Sequence, residues 1–89
     1  MQNGNARRKG KGVARIRQIG EAVRTLKNPN YGVFDLPTGN PPQVVFIHTE
    51  RKRDSMVVFV DRNNKKVRAF YSVKNIKNFM SKISERIID

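Results

Sequence analysis

The apolar residues of this sequence come in short runs, and this feature restricts the fold more than any other. The longest runs span four or five residues, at 44–47 and 56–60. A membrane-spanning helix needs about 18 consecutive apolar residues, whereas short runs bounded by turn residues are typical of strands. The sequence therefore predicts short strands and no membrane span.

After Pro29 the sequence alternates between extended runs and turn residues. Strands are predicted at 31–36, 43–49, 55–61 and 65–71. The links between them are short and rich in Pro, Gly, Asn or charged residues, which favours antiparallel hairpins.

Two stretches have the three- and four-residue apolar spacing of amphipathic helices. The first runs from Val13 to Leu26 and ends at Asn28-Pro29. The second begins at Ser72, a suitable N-cap, and continues to Ile87. The first stripe consists of Val13, Ile16, Ile19, Val23 and Leu26. We expect both helices to pack on one face of the sheet and to leave the other face free.

The fold class predicted is α+β, a small single domain over 13–89 with four antiparallel strands in the order α-β-β-β-β-α. Residues 1–12 contain no large apolar residue apart from Met1. They cannot contribute to a core, and we expect them to form a disordered basic N-terminal arm.

The charge of the chain is strongly unbalanced. It has 19 Lys and Arg against 7 Asp and Glu, a formal net charge of +12, and residues 1–30 hold eight cations against one acid. Such a chain is expected to meet an acidic partner. A membrane surface is disfavoured because no basic helix has the Trp, Phe or Leu face that inserts into lipid. We find no secretory signal and expect a cytoplasmic, nucleic-acid-associated protein.

Three basic clusters are candidate phosphate contacts. One lies in the arm and first helix, one at the predicted tip of the second hairpin, and one in the last strand, where Phe70 shares a face with two cations and could stack on a base. The candidate nucleic-acid-binding residues are Arg7, Arg8, Lys9, Lys11, Arg15, Arg17, Arg24, Arg51, Lys52, Arg53, Lys66, Arg68 and Phe70.

The sequence contains few residues that could support enzymatic catalysis. The chain has no Cys, and its one His, His48, is more typical of a structural position than of a catalyst. Cys-His and Ser-His-Asp arrangements and the usual zinc sites are thereby excluded. We expect no cofactor, no metal and no catalytic residue.

One resemblance leaves an enzymatic function as an alternative. Asp35, followed by Glu50-Arg51-Lys52 and preceded by Glu21, resembles the signature of PD-(D/E)xK nucleases. Phe34 stands where that signature has Pro. The resemblance implies that the acids would hold Mg²⁺ and that Lys52 would assist the attacking water.

A second resemblance concerns element order alone. A basic arm, four antiparallel strands and a C-terminal amphipathic helix are similar to the single-strand-binding coactivators. That resemblance implies a sheet that binds melted DNA and a helix that dimerises.

The function predicted is non-enzymatic binding of nucleic acid through phosphates, with low sequence specificity. DNA is favoured over RNA, and single strands slightly over duplexes. The protein would act as an accessory factor in replication, packaging or regulation, as a homodimer or with a larger enzyme. Two alternatives stay open, a small regulator that binds an acidic or nucleic-acid-binding protein, and the Mg²⁺-dependent nuclease.

Overall fold

The computed structural model describes residues 16–84 and contains the six predicted elements in the predicted order. The arm at 1–12 lies outside the described residues. Helix α1 covers 16–27 of the described chain, the strands are β1 (Gly32–Leu36), β2 (Gln43–His48), β3 (Ser55–Asp61) and β4 (Val67–Val73), and helix α2 spans Ile76–Ile83. Between residues 16 and 84 no helix is long and apolar enough to cross a membrane.

The strands form one antiparallel sheet in the order β1-β2-β3-β4, so each strand pairs with the next along the chain. The β2–β3 link, 49–54, lies at one end of the sheet, and the β3–β4 link, 62–66, at the other. In the second link the Asp61 carboxylate accepts hydrogen bonds from the backbone N–H groups of Asn63 and Asn64 at 2.8 and 3.3 Å. Lys65, with φ 60°, adopts the left-handed conformation there.

The face of the sheet that carries Val57 and Phe59 packs on α2. The Phe59 ring stacks on Tyr71 at 5.9 Å between centroids and meets Phe79 edge-on at 6.1 Å. The core cluster on this face is Leu36, Val45, Ile47, Val57, Phe59, Phe79 and Ile83. Burial of these side chains is the main force that holds α2 on the sheet.

Helix α2 begins later than predicted. Its N-cap is Asn75, whose side chain accepts a hydrogen bond from the Asn78 N–H at 3.1 Å. The prediction of Ser72 as N-cap is wrong because β4 continues through Ser72 to Val73, paired with the start of β3.

The opposite face of the sheet packs on α1. Ala22 forms a buried cluster with Met56 and Val58, and Leu26 and Phe70 pack against it. The expectation of two helices on one face is therefore wrong. Successive strand residues point to opposite faces, so the unbroken apolar run of β3 supplies side chains to both.

Helix α1 is also rotated relative to the predicted stripe. It buries Ala22 and Thr25, whereas Ile16, Ile19 and Val23 stay 69%, 47% and 45% exposed. The Thr25 hydroxyl donates to the Glu21 carbonyl at 2.8 Å, so its burial leaves no unsatisfied polar group.

Candidate nucleic-acid interface

The link between β2 and β3 places three cations at one end of the sheet. The N–H of Arg53 donates to the Glu50 carbonyl at 3.2 Å, and Lys52 takes a left-handed φ of 59°, so the chain reverses within a short turn. The side chains of Arg51, Lys52 and Arg53 are all exposed. The predicted basic hairpin tip is thus confirmed as a structural feature.

Glu50 connects this tip to α1. Its Oε1 accepts a hydrogen bond from Arg24 Nη1 at 3.1 Å, and its Oε2 lies 3.5 Å from Arg53 Nη1. One carboxylate therefore holds a cation from each of two clusters, although Arg24 and Glu50 are 26 residues apart in sequence. We call the surface formed by Arg17, Arg24, Arg51, Lys52 and Arg53 the α1–hairpin surface.

His48 contacts both Glu50 and the residue that follows the end of α1 by one position, Asn28. Its Nδ1 lies 2.7 Å from the Asn28 carbonyl oxygen, and its Nε2 lies 3.3 Å from Glu50 Oε1. Both partners carry acceptor oxygens, so a ring nitrogen that bears a proton can donate to the partner it faces. These contacts agree with the structural role expected of His48.

Asn30 holds the segment that follows α1 against Thr49, the residue that follows β2. Its Nδ2 donates to the Thr49 carbonyl at 2.8 Å, and its Oδ1 accepts from the Thr49 N–H at 2.8 Å. The position of α1 relative to the hairpin tip is therefore set by several polar contacts in addition to apolar packing.

The pKa of the Glu50 carboxyl lies below its ordinary value of 4.5, first because of the hydrogen bond from His48. Desolvation opposes this shift, and Arg24 and Arg53 add to it. Because the pKa is depressed in the folded state, the contribution of Glu50 to stability is present above pH 4.5 and is lost as the pH falls through the lower folded value.

We expect an NMR titration of the Glu50 side chain to give a pKa below 4.5. Replacing His48 with Leu should raise it further than replacing Arg24 with Leu, since the His48 hydrogen bond is the larger cause. The control Arg62→Leu, at the other end of the sheet, should leave it unchanged. A wild-type pKa at or above 4.5 would contradict the described junction.

A cleft of about 390 Å³ lies between α1 and the hairpin. Arg17, Arg24 and Arg53 contribute cations to its wall, and Glu21, Glu50 and Asp54 contribute carboxylates. The cleft is therefore a mixed-charge site next to an exposed basic tip.

The third predicted cluster lies at the opposite end of the sheet, about 20 Å away along the seven residues of β3. Arg68 Nη2 lies 3.3 Å from Asp61, and Arg62 Nη1 lies 3.1 Å from Asp35. Lys66 is exposed near them. The structure therefore separates Lys66 and Arg68 from the α1–hairpin surface.

Phe70 differs from its expected setting. It is half-buried and packs against the cluster of Ala22, Met56 and Val58 under α1. The prediction that it lies on an uncovered sheet face is wrong, because α1 occupies that face.

The two acids of the nuclease resemblance are not brought together. Asp35 pairs in register with Val44, near the start of β2, whereas Glu50 follows the end of that strand. Each carboxylate contacts arginine, Asp35 through Arg62 and Glu50 through Arg24 and Arg53. Within residues 16–84 no group of three His, Cys, Asp or Glu could hold a metal ion.

The remaining candidates, Arg7, Arg8, Lys9, Lys11 and Arg15, lie outside the described residues. Sequence reasoning missed Glu50 as the residue that joins two basic clusters, having considered it only as a metal ligand. The signal for it was faint, a single acid directly before Arg51-Lys52-Arg53.

Comparison of the chain with models of protein families, with curated proteins and with solved structures finds no match. The functional interpretation therefore depends on the geometry and the charge of the site.

Proposed function

We propose that the protein binds nucleic acid, single-stranded DNA in the first place, by placing the α1–hairpin surface against the phosphate backbone. The observation that carries the proposal is the double contact of Glu50, which holds Arg24 of α1 and Arg53 of the hairpin tip on one carboxylate. Cations from two separate sequence clusters thereby form one surface.

The charge balance around this surface supports the proposal. Residues 16–84 contain 13 Lys and Arg against 5 Asp and Glu. Four of the cations form ion pairs with acids of the described chain, namely Arg24, Arg53, Arg62 and Arg68. The others are exposed and have no ion pair with a described acid: Arg17, Lys27, Arg51, Lys52, Lys65, Lys66, Lys74, Lys77 and Lys82.

Phosphate contacts of this kind give affinity without base discrimination. Each neutralised phosphate releases condensed counterions, and this entropy gain is common to every sequence. Arg suits such contacts because its planar fork can donate two hydrogen bonds to one phosphate. A small protein with this surface would act as an accessory factor that coats a strand or brings a larger enzyme to its template.

Fluorescence anisotropy tests the proposal directly. Purified full-length protein is titrated into labelled single-stranded DNA, duplex DNA and RNA, with and without Mg²⁺, and into labelled poly-glutamate as a non-nucleic polyanion. We expect the tightest binding to single-stranded DNA, weaker binding to poly-glutamate, and an uncut probe in Mg²⁺.

Tighter binding to poly-glutamate than to all three nucleic acids would overturn the proposal in favour of a regulator of an acidic protein. Cleavage of the probe in Mg²⁺, abolished by Asp35→Ala, would instead favour the nuclease.

A further inference from the structure

The cleft between α1 and the hairpin has the chemistry of a ligand site rather than of a simple salt-bridge network. Its volume of about 390 Å³ lies in the lower part of the range of small-molecule sites. Met56 forms part of the wall, and the Gln18 amide and the Ser72 hydroxyl add neutral polar groups. A flat group with polar edges would find both apolar and polar contacts there.

Some charged groups of the cleft form no ion pair with another residue between 16 and 84. Glu50 is engaged by Arg24, His48 and Arg53. By contrast, the carboxylates of Glu21 and Asp54 have no ion pair with any cation between residues 16 and 84, and Arg17 has none with any acid there. Among residues 16–84, the cleft therefore presents two carboxylates without an ion-paired cation and one cation without an ion-paired acid.

A nucleotide whose base carries an amino group offers both an anion for the cation of the cleft and N–H donors for its carboxylates. Its phosphate is an anion for Arg17, and its exocyclic amine offers N–H donors to a carboxylate, the pairing by which Asp and Glu accept from cytosine N4. Thymine and uracil carry an oxygen at that position, and an oxygen facing a carboxylate is repelled. The match therefore distinguishes cytosine, adenine and guanine from thymine and uracil.

We infer that the cleft holds one unpaired nucleotide of the bound strand whose base carries an amino group, with its phosphate on Arg17 and its amine on Glu21 or Asp54. This inference rests on the proposed function, because the strand is first held by phosphate contacts on the α1–hairpin surface. A base can enter the cleft only when it is neither paired nor stacked in a duplex, so the site also favours single strands.

The test compares oligo(dC) with oligo(dT) of equal length by anisotropy, at pH 7.5 and fixed salt. We expect the wild-type protein to bind oligo(dC) about tenfold more tightly, the effect of about one charge-assisted hydrogen bond. In the double variant Glu21→Ala/Asp54→Ala the ratio should fall close to one, while the affinity for oligo(dT) rises because two negative charges are lost. The single control Asp35→Ala removes an exposed acid far from the cleft and should keep the tenfold ratio.

Equal wild-type affinities for the two oligonucleotides would overturn the inference and leave the proposed function standing. A tenfold preference for oligo(dC) that persists in a folded double variant would have the same consequence. Failure to bind either oligonucleotide would overturn the proposed function and this inference with it. Glu21 and Asp54 are exposed, so a thermal unfolding midpoint close to the wild-type value serves as the check that the variant is folded.

Discussion

Arg51→Glu/Lys52→Glu is expected to weaken single-stranded DNA binding about 100-fold. Under the proposed function, this variant loses two phosphate contacts at the hairpin tip and places two carboxylates against the backbone, where like charges cost several kcal/mol. Both residues are exposed and have no ion pair with a described acid, so the fold should not change. Anisotropy at fixed salt measures the loss of affinity, and circular dichroism verifies the fold.

The matched control is Lys77→Glu/Lys82→Glu, which changes the net charge equally on exposed positions of α2. Because α2 packs on the opposite face of the sheet from α1, we expect this variant to lose less than about tenfold, through the reduced overall field alone. Equal losses in the two variants would show that binding depends on net charge and not on the α1–hairpin surface.

Val57→Asp and Val58→Asp are each expected to unfold the domain. The two residues are adjacent in β3, point to opposite faces and have no exposed surface. A carboxylate buried without a partner at either position should cost about 4 kcal/mol or more, out of a typical total stability of about 5–15 kcal/mol. Thermal and urea unfolding measure the change in the free energy of unfolding.

The control for this pair is Val33→Asp in β1, whose side chain is 48% exposed. It should cost less than about 1 kcal/mol, as is usual for exposed positions. If Val58→Asp were tolerated as well as Val33→Asp, the α1 face of the sheet would be uncovered and the described packing of α1 would be wrong.

The order of the elements could be predicted because its signals are local. Pro29 marks the end of α1, and the Pro- and Asn-rich links and the Arg51–Arg53 segment mark the ends of strands. Short antiparallel strands joined by such links pair with their neighbours. The N-cap of α2 was misplaced because Ser72 and Asn75 are both good caps, and only the pairing of β4 with β3 decides between them.

The side of the sheet on which each helix packs depends on contacts between residues far apart in sequence. The apolar period of α1 marks Ile16, Ile19 and Val23, yet the helix buries Ala22 and Thr25 against the sheet. The unbroken apolar run in β3 is typical of a strand buried on both faces, a signal that the prediction of a free face did not use. Helix α1 covers the face on which Phe70 was expected to stack on a base.

The candidate site, too, was predictable from the sequence only in its local features. Its basic residues could be found from composition and from their position at a turn. Their assembly could not, because Glu50 meets Arg24 only once α1 lies across the end of β2. The separation of Arg68 from the α1–hairpin surface likewise follows from the sheet, which places the β3–β4 link at the far end.

The salt dependence of single-stranded DNA binding tests the central claim most directly. If about five phosphates are neutralised, log K plotted against log salt from about 50 to 300 mM should be linear, with a slope of about −4 and submicromolar affinity at the lowest salt. A slope near zero, or no binding at about 50 mM salt, would contradict the claim that this protein acts by placing its cations on a phosphate backbone.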